Sequence, residues 1–548
     1  MPDSETDATI QQLGRDFWAW RDATAFRSAD DIPRIPHPPL WLPRFDADSV
    51  SERRDALAGF VGRWRAVDAA GEAVAARVDH RLVGSAIARA HWELDVMRPW
   101  QRDAVFAASQ ILGPYYDLLL PPAPLSDERQ AGLVNALAAI PAQVAVARAN
   151  LADGGVRELA AVAAGLLETI AADLTGSVAA LSPVVSAETA AGLAERVGPA
   201  TSALAEFAGW LASEGPGMPA VEPVGRERFE WYLRHVALVA TRPEQLVAAA
   251  EQEYARAVAW ELASRTRPAA PARPAATSGE QHGTQARREA EVREFYESRG
   301  ILSQAGHGRY LTAEMPAYLR ELHWLGVPDD LTDVNRLGAD GTSYMPVPGE
   351  GLGYFYAANA LDPRLGIIHE GAHYQQLVRA WAHEREIRRH YYDSSANEGI
   401  AHYNEELMVQ AGLFDGDPHS LTIVNNFLRL RALRVVVDVN LATGVFGFAE
   451  GVDQFVRRVP MDVQTATEET AMYLGGPGLA MAYLSGKLKL LRLLADAAER
   501  DGTAFSLRDF HDSVWKNGNV PFSLQRWELL GDDSDVRAID AAGDWHLV

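Results

Sequence analysis

Between residue 52 and about residue 214, apolar residues return at every third or fourth position, in stretches such as ERRDALAGFVGRWRAV (52–67) and ELAAVAAGLLETIAADL (158–174). That period places them on one face of an α-helix, and the Ala- and Leu-rich windows favour helix intrinsically. FWAWRDATAF near the start predicts one more helix, and 226–262 predicts two, broken at Thr241-Arg242-Pro243. Between them DIPRIPHPPLWLPRF (31–45) lacks backbone donors at each proline and reads as an extended wrapping segment. The helical period fails over RTRPAAPARPAATSGEQHGTQARRE (265–289), whose Pro, Ala, Ser and Gly offer no hydrophobic face. It then resumes to the C-terminus, interrupted at GEGLGY (349–354) and LGGPG (474–478). No alternating βαβ rhythm and no internal repeat is visible. The pattern predicts a mainly α protein in three parts: an N-terminal helical half over 1–262, a flexible Pro/Ala-rich loop or linker over 263–289, and a catalytic helical half over 290–548.

Composition narrows the chemistry. With 548 residues the chain can build a large core. Its formal net charge of −23 repels phosphate backbones and anionic lipid surfaces, so neither nucleic acid nor membrane is expected as a partner. The absence of cysteine removes disulfides, thiolate nucleophiles and zinc–thiolate sites, leaving His and carboxylates as the only strong metal ligands. The polar start MPDSETDATIQQLG does not read as a secretory signal, and the most apolar stretch, AGLVNALAAIPAQVAVA (131–147), carries Asn, Gln and Pro and reads as a buried helix. A cytoplasmic protein is the expectation.

Residues 367–378, IIHEGAHYQQLV, contain His369-Glu370-Gly371-Ala372-His373, the HExxH pattern of zinc hydrolases. On a helix, two histidines four residues apart share a face and can reach one ion, while Glu370 projects beside it as a base for the water that the metal activates. The alternative is two surface histidines flanking a solvated glutamate; the apolar flanks Ile367, Ile368, Leu377 and Val378 argue instead for a buried helix. A third ligand is expected from SSANEGIAHYNEEL (394–407), where Glu398 is the candidate. The same residues also fit a capping box in which Glu398 only bonds the Ser395 amide. His402 reads as a neighbour of the ligands, and Glu405 as a carboxylate able to orient a ligand histidine.

HEGAH, NEGIAHYNEEL and FHDSVWKNGNVPFSLQRWELL (510–530), in that order, resemble the signature blocks of the bacterial domain-of-unknown-function family eight-eight-five, as does RERFEWYLRHVALVATRPEQL (226–246). That family looks like a distant relative of helical, groove-shaped zinc peptidases of the Glu-ligand type. The resemblance implies a groove-forming helical architecture with minor β elements near the active site, one Zn2+ per chain on His369, His373 and Glu398, and Glu370 as base. The sequence departs from the family pattern in its plain HExxH spacing, in Ala442 where a His is expected, and in the block MYLGGPGLAMAYLSGK, which lacks an Arg before Tyr473 and a Gln after Pro477.

The remaining candidates stand around this motif. The LGGPG loop and Tyr483, with Tyr473 behind it, suit an oxyanion, since glycine lets backbone close on a substrate; each phenol can equally bond a core carbonyl. GEGLGYFY (349–356) reads as an edge strand able to pair with an extended peptide. His511 reads as a satisfied structural histidine, and Asp438 as a partner of Arg431, Arg434 or a ligand histidine. The expected function is zinc-dependent hydrolysis of peptide amide bonds. Two rivals remain: a zinc enzyme acting on one small metabolite, which a narrow pocket would favour, and a non-catalytic helical scaffold that binds peptides. Oligomeric state is left open.

Overall fold

Helix-capping residues punctuate the N-terminal half where the apolar period restarts. In the computed structural model, which describes residues 4–28, 37–267, 273–306, 308–349, 351–459, 461–543 and 545, the side chains of Ser4, Asp46, Ser126 and Ser186 each accept a first-turn backbone N–H. These caps begin α1 (Glu5–Thr24), α2 (Ala47–Arg65), α6 (Asp127–Gly154) and α9 (Ala187–Glu214), and the same half holds α3 (Val74–His91), α4 (Pro99–Arg102), α5 (Ala104–Asp117), α7 (Arg157–Leu166) and α8 (Ile170–Leu181). By length and composition α6 could cross a membrane, yet Leu133, Leu137 and Ile140 place its apolar face in the core against α9. Helices α10 (Arg226–His235) and α11 (Pro243–Arg265) follow, separated at the expected Arg242-Pro243 step.

The expected flexible stretch over 263–289 is shorter than the sequence suggested. α11 runs to Arg265 and α12 (Ser278–Ser298) starts under a Thr277 cap, because Gln281, Gln285 and Val292 find burial that their own sequence window does not announce. Residues 268–272 of that stretch, and 31–36 of the expected wrapping segment, lie outside the described residues. After α12 comes a three-stranded sheet of order β1-β3-β2, with β1 (Tyr310–Glu314) parallel to β3 (Gly341–Met345) and β2 (Asp329–Asp330) antiparallel to it. The short helix α13 (Ala317–Arg320) lies between β1 and β2. The edge strand expected at 349–356 is not formed: α14 (Tyr354–Leu361) begins there, its aromatic residues packing Tyr354 and Phe355 on Phe427.

The rest is helical: α15 (Arg364–Trp381), α16 (Glu386–His390), α17 (Ser394–Ala411), α18 (Pro418–Thr443), α19 (Phe448–Arg458), α20 (Val463–Gly475), α21 (Met481–Asp501), α22 (Leu507–Asn517), α23 (Phe522–Leu530) and α24 (Ser534–Ala541). Gly399 of α17 and Gly486 of α21 face each other so closely that a Cβ on Gly486 would lie 1.8 Å from the Ser395 carbonyl. Two backbones meet there with no side chain between them. The cores do not respect the division at residue 262. The cluster built on α1–α9 also takes in Ile387, Tyr391, Val520, Leu524 and Trp527, and α11 packs along α18.

Candidate metal site and cleft

Nearly every side chain of α15 from Arg364 to Trp381 is buried, so its polar residues must be satisfied by protein or ligand. α17 returns antiparallel beside it: Asn397 Nδ2 donates to Gln376 Oε1 at 2.5 Å, and Asn404 Nδ2 to the Ile368 carbonyl at 2.7 Å. This pairing brings Glu398 onto the two histidines. Its Oε2 lies 3.5 Å from His369 Nε2 and 3.3 Å from His373 Nε2. The capping alternative does not hold, because Asp393 is the N-cap of α17 and accepts from Ala396 N at 3.0 Å.

The three donors fit a metal. Ligands about 2.0–2.2 Å from a tetrahedral zinc stand about 3.3–3.5 Å apart, the separations of Glu398 from each histidine, and the ligand atoms of His369, His373 and Glu370 lie within 4.8 Å of one another. His373 Nε2 and Glu398 Oε2 are buried with no hydrogen-bond partner among the described residues, an arrangement that is costly unless a cation completes it. Behind His369, Glu405 Oε1 lies 2.9 Å from Nδ1; Arg431 Nη2 lies 3.3 Å from the same oxygen and 3.5 Å from His369 Nε2. Burial and Arg431 both push the His369 imidazole down, but Glu405, Glu370 and Glu398 outweigh them and hold it up at about 9. Burial opposes ionisation of Glu398, and the two histidines overcome it and hold its carboxyl well below the usual range. The field at the site favours positive charge. His402, one turn beyond Glu398, is kept neutral by burial and by Lys487 and Arg431.

Glu370 differs from the ligands in exposure. Its side chain is 30% exposed against 6%, 0% and 3% for His369, His373 and Glu398, and its Oε1 lies 3.9 Å from His369 Nε2. It lines a cleft of about 2190 Å³ to which helices of the N-terminal half, the sheet, α14 and α20 all contribute residues. Tyr483 lines the same cleft, its ring parallel to that of His369 at 6.3 Å, with the Arg431 and Arg434 guanidinium groups 5.1 and 5.0 Å from its centre. Tyr473 is placed differently. It lines the cleft but is almost fully buried, and its hydroxyl donates to Glu469, which is paired with Arg434, so its proton is already committed.

Two further expectations are corrected. Asp438 pairs with neither arginine nor histidine: it accepts the backbone N–H groups of Gly478 (2.9 Å) and Met481 (2.8 Å), while burial raises its carboxyl to about 7. Those bonds tie down the LGGPG loop, and the Gly476 and Leu479 amides are also bonded internally, so these glycine-loop donors are committed to structure instead of an oxyanion. His511 is satisfied, with Nδ1 2.8 Å from the Ile301 carbonyl and Nε2 2.9 Å from the Tyr403 hydroxyl. The sequence reading did not single out Tyr310 and Asp329. Tyr310 packs on Gly371 of α15, and its hydroxyl lies 3.4 Å from Asp329 Oδ2; Asp329 also accepts from Ser343 Oγ at 2.6 Å. Burial, then Glu370, raises Asp329 to about 7.

The family model described as "Bacterial protein of unknown function (DUF885)" matches residues 41–292 and 357–528, which include α15 and α17. The chain belongs to this family. DUF885 membership rests on most of the chain and carries no activity in its description. Two solved structures share the fold across 96% of this chain. One is described as "a putative lipoprotein of unknown function from Shewanella oneidensis" (TM-score 0.68, 16% identity, all of that chain covered). The other is described as "the putative lipoprotein from Colwellia psychrerythraea" (TM-score 0.72, 14% identity, 98% of that chain covered). No curated protein matches the chain. The cytoplasmic expectation is corrected at this point. Both structural relatives of this DUF885 protein carry lipoprotein descriptions, and the polar start on which the expectation rested does not fix a compartment.

Proposed function

We propose that this protein is a zinc-dependent hydrolase of peptide amide bonds. The observation that carries the reading is the convergence of Glu398 on His369 and His373, at 3.5 and 3.3 Å, in a cleft that His369, Glu370 and Glu398 all line and to which Glu370 is the most exposed. His369, His373 and Glu398 would hold the ion, and Glu405 would fix the His369 ring. When bound, zinc supplies Lewis acidity, polarising a carbonyl and making water acidic enough to lose a proton near neutral pH. Glu370 accepts that proton at its carboxylate and passes it to the leaving amine. Tyr483, with two guanidinium groups on its ring, is the phenol placed to donate to the developing oxyanion. The cleft exceeds the roughly 300–1,000 Å³ typical of small-molecule pockets, which supports a peptide over a single metabolite.

The test is a mass-spectrometric survey of a mixed peptide library incubated with zinc-loaded protein, with Glu370→Gln as its pair. Cleavage by the wild type alone supports the reading. No cleavage by either protein, or equal cleavage by both, overturns it.

A further inference from the structure

Most arginines lining the cleft are neutralised: Arg21 by Glu93, Arg27 by Asp117, Arg336 by Asp330, Arg431 by Glu405 and Arg434 by Glu469. Arg89 and Arg389 also line it, and among the described residues neither has a carboxylate within 4.0 Å. In a chain of net charge −23, cations without a carboxylate partner in the cleft favour a negative partner from outside.

Their surroundings form a built site. Ser85 Oγ, one turn before Arg89 on α3, lies 2.7 Å from the Tyr391 hydroxyl, and the Arg89 guanidinium lies 5.8 Å from the centre of the Tyr392 ring. The next residues are Asp393, the N-cap, and Ser394, the first residue of α17. Ser394 lines the cleft, is 5% exposed, and its Oγ is buried with no partner among the described residues. The start of α17 adds unbonded N–H groups and the positive end of an 18-residue helix. Asp393 and Glu93 act on Arg89 by charge alone, and Asp393 is turned into its own cap, accepting from Ala396 N and Ser395 Oγ. Glu93 is held by Arg21.

We propose that Arg89, Ser394 and the N-terminus of α17, assisted by Arg389, form a subsite for a substrate carboxylate, and that in a peptide this is the C-terminal carboxylate. The protein then trims peptides from the C-terminal end. This rests on the peptide-hydrolase reading above. Ser394 and Glu398 are four residues apart on one helix face, so the subsite stands about 6 Å along the axis from the turn that supplies the third metal ligand. An extended chain spans about 3.3–3.6 Å per residue, so the subsite measures off one or two residues beyond the cut.

The experiment uses the Glu370→Gln protein, which removes the base and leaves the wall intact, and reads binding of a hexapeptide as free acid and as C-terminal amide by calorimetry. The free acid should bind at least about tenfold more tightly, the loss expected for a charge-assisted hydrogen bond. That preference should vanish with Arg89→Gln, shrink with Ser394→Ala or Arg389→Gln, and partly return with Arg89→Lys. If Arg89→Gln does not fold, the other two variants carry the test. An amidated peptide bearing a penultimate Glu that binds like the free acid would keep the carboxylate subsite and overturn its assignment to the C-terminus. Equal binding of acid and amide overturns the subsite alone. No binding of either peptide overturns the peptide reading and the subsite with it.

Discussion

A buried imidazole and carboxylate, 3.3 Å apart and with no hydrogen-bond partner among the described residues, are the residue-scale signature of this protein, and they set its first predictions. His373→Ala or Glu398→Ala should reduce bound zinc from about one per chain to a trace, measured by elemental analysis after dialysis. Glu370→Gln should keep the metal and lose about 10²–10⁴ in turnover on any cleaved peptide. Full zinc retention by His373→Ala would end the metal-site reading. Glu405→Gln should keep the fold and weaken zinc binding by about 10–100-fold, because the carboxylate 2.9 Å from His369 Nδ1 sets that ring's tautomer. At this scale the sequence was informative where neighbours are local. His369 and His373 share a helix face by spacing alone, and Glu398 and Glu405, seven apart, share another. Tyr310, Asp329 and the Arg431–Glu405 contact join distant segments, and no spacing rule could have brought them to the site. Asp438 was misread for the opposite reason: its partners are backbone amides, which carry no residue signature.

At the scale of elements, the position of Glu398 depends on where α17 lies, and α17 is fixed partly by the bare backbone contact of Gly399 with Gly486. Gly486→Ala should force α21 away from α17, costing about 1–3 kcal/mol as overpacking does, and should separate Tyr483 on α21 from His369. The check is a lower thermal midpoint together with weaker zinc retention; an unchanged midpoint would show that the helices can part without strain. The helices themselves were legible because period, caps and proline breaks agree. The strands were not, since β1, β2 and β3 have only five, two and five residues and β1 takes its place against α12 and α15, contacts outside its own window. GEGLGYFY failed as a strand because its aromatics have a helical partner in Phe427, a contact outside its own window.

For the whole molecule, stability should depend on pH through buried histidines remote from the cleft. Burial lowers His511 and His383 to about 4 in the folded state, against about 6.5 unfolded, so the unfolded chain binds more protons between those values. Stability is therefore complete above about pH 6.5 and falls as pH drops toward 4, by up to about 1.4 kcal/mol per pH unit for each group. Urea unfolding at pH 5 and 7 should show the loss, and His511→Asn should flatten the slope while lowering stability at pH 7; a parallel slope in the variant would remove His511 from the account. The cleft was implied by resemblance alone, because a groove between two walls has no sequence signal. Since Ile387, Val520 and Trp527 are built into the N-terminal core and α11 lies along α18, the two halves are complementary parts of one fold. A nick between Arg267 and Arg273 should accordingly leave two fragments that co-elute as a native-mass complex, reassociate after denaturation, and regain zinc only when mixed.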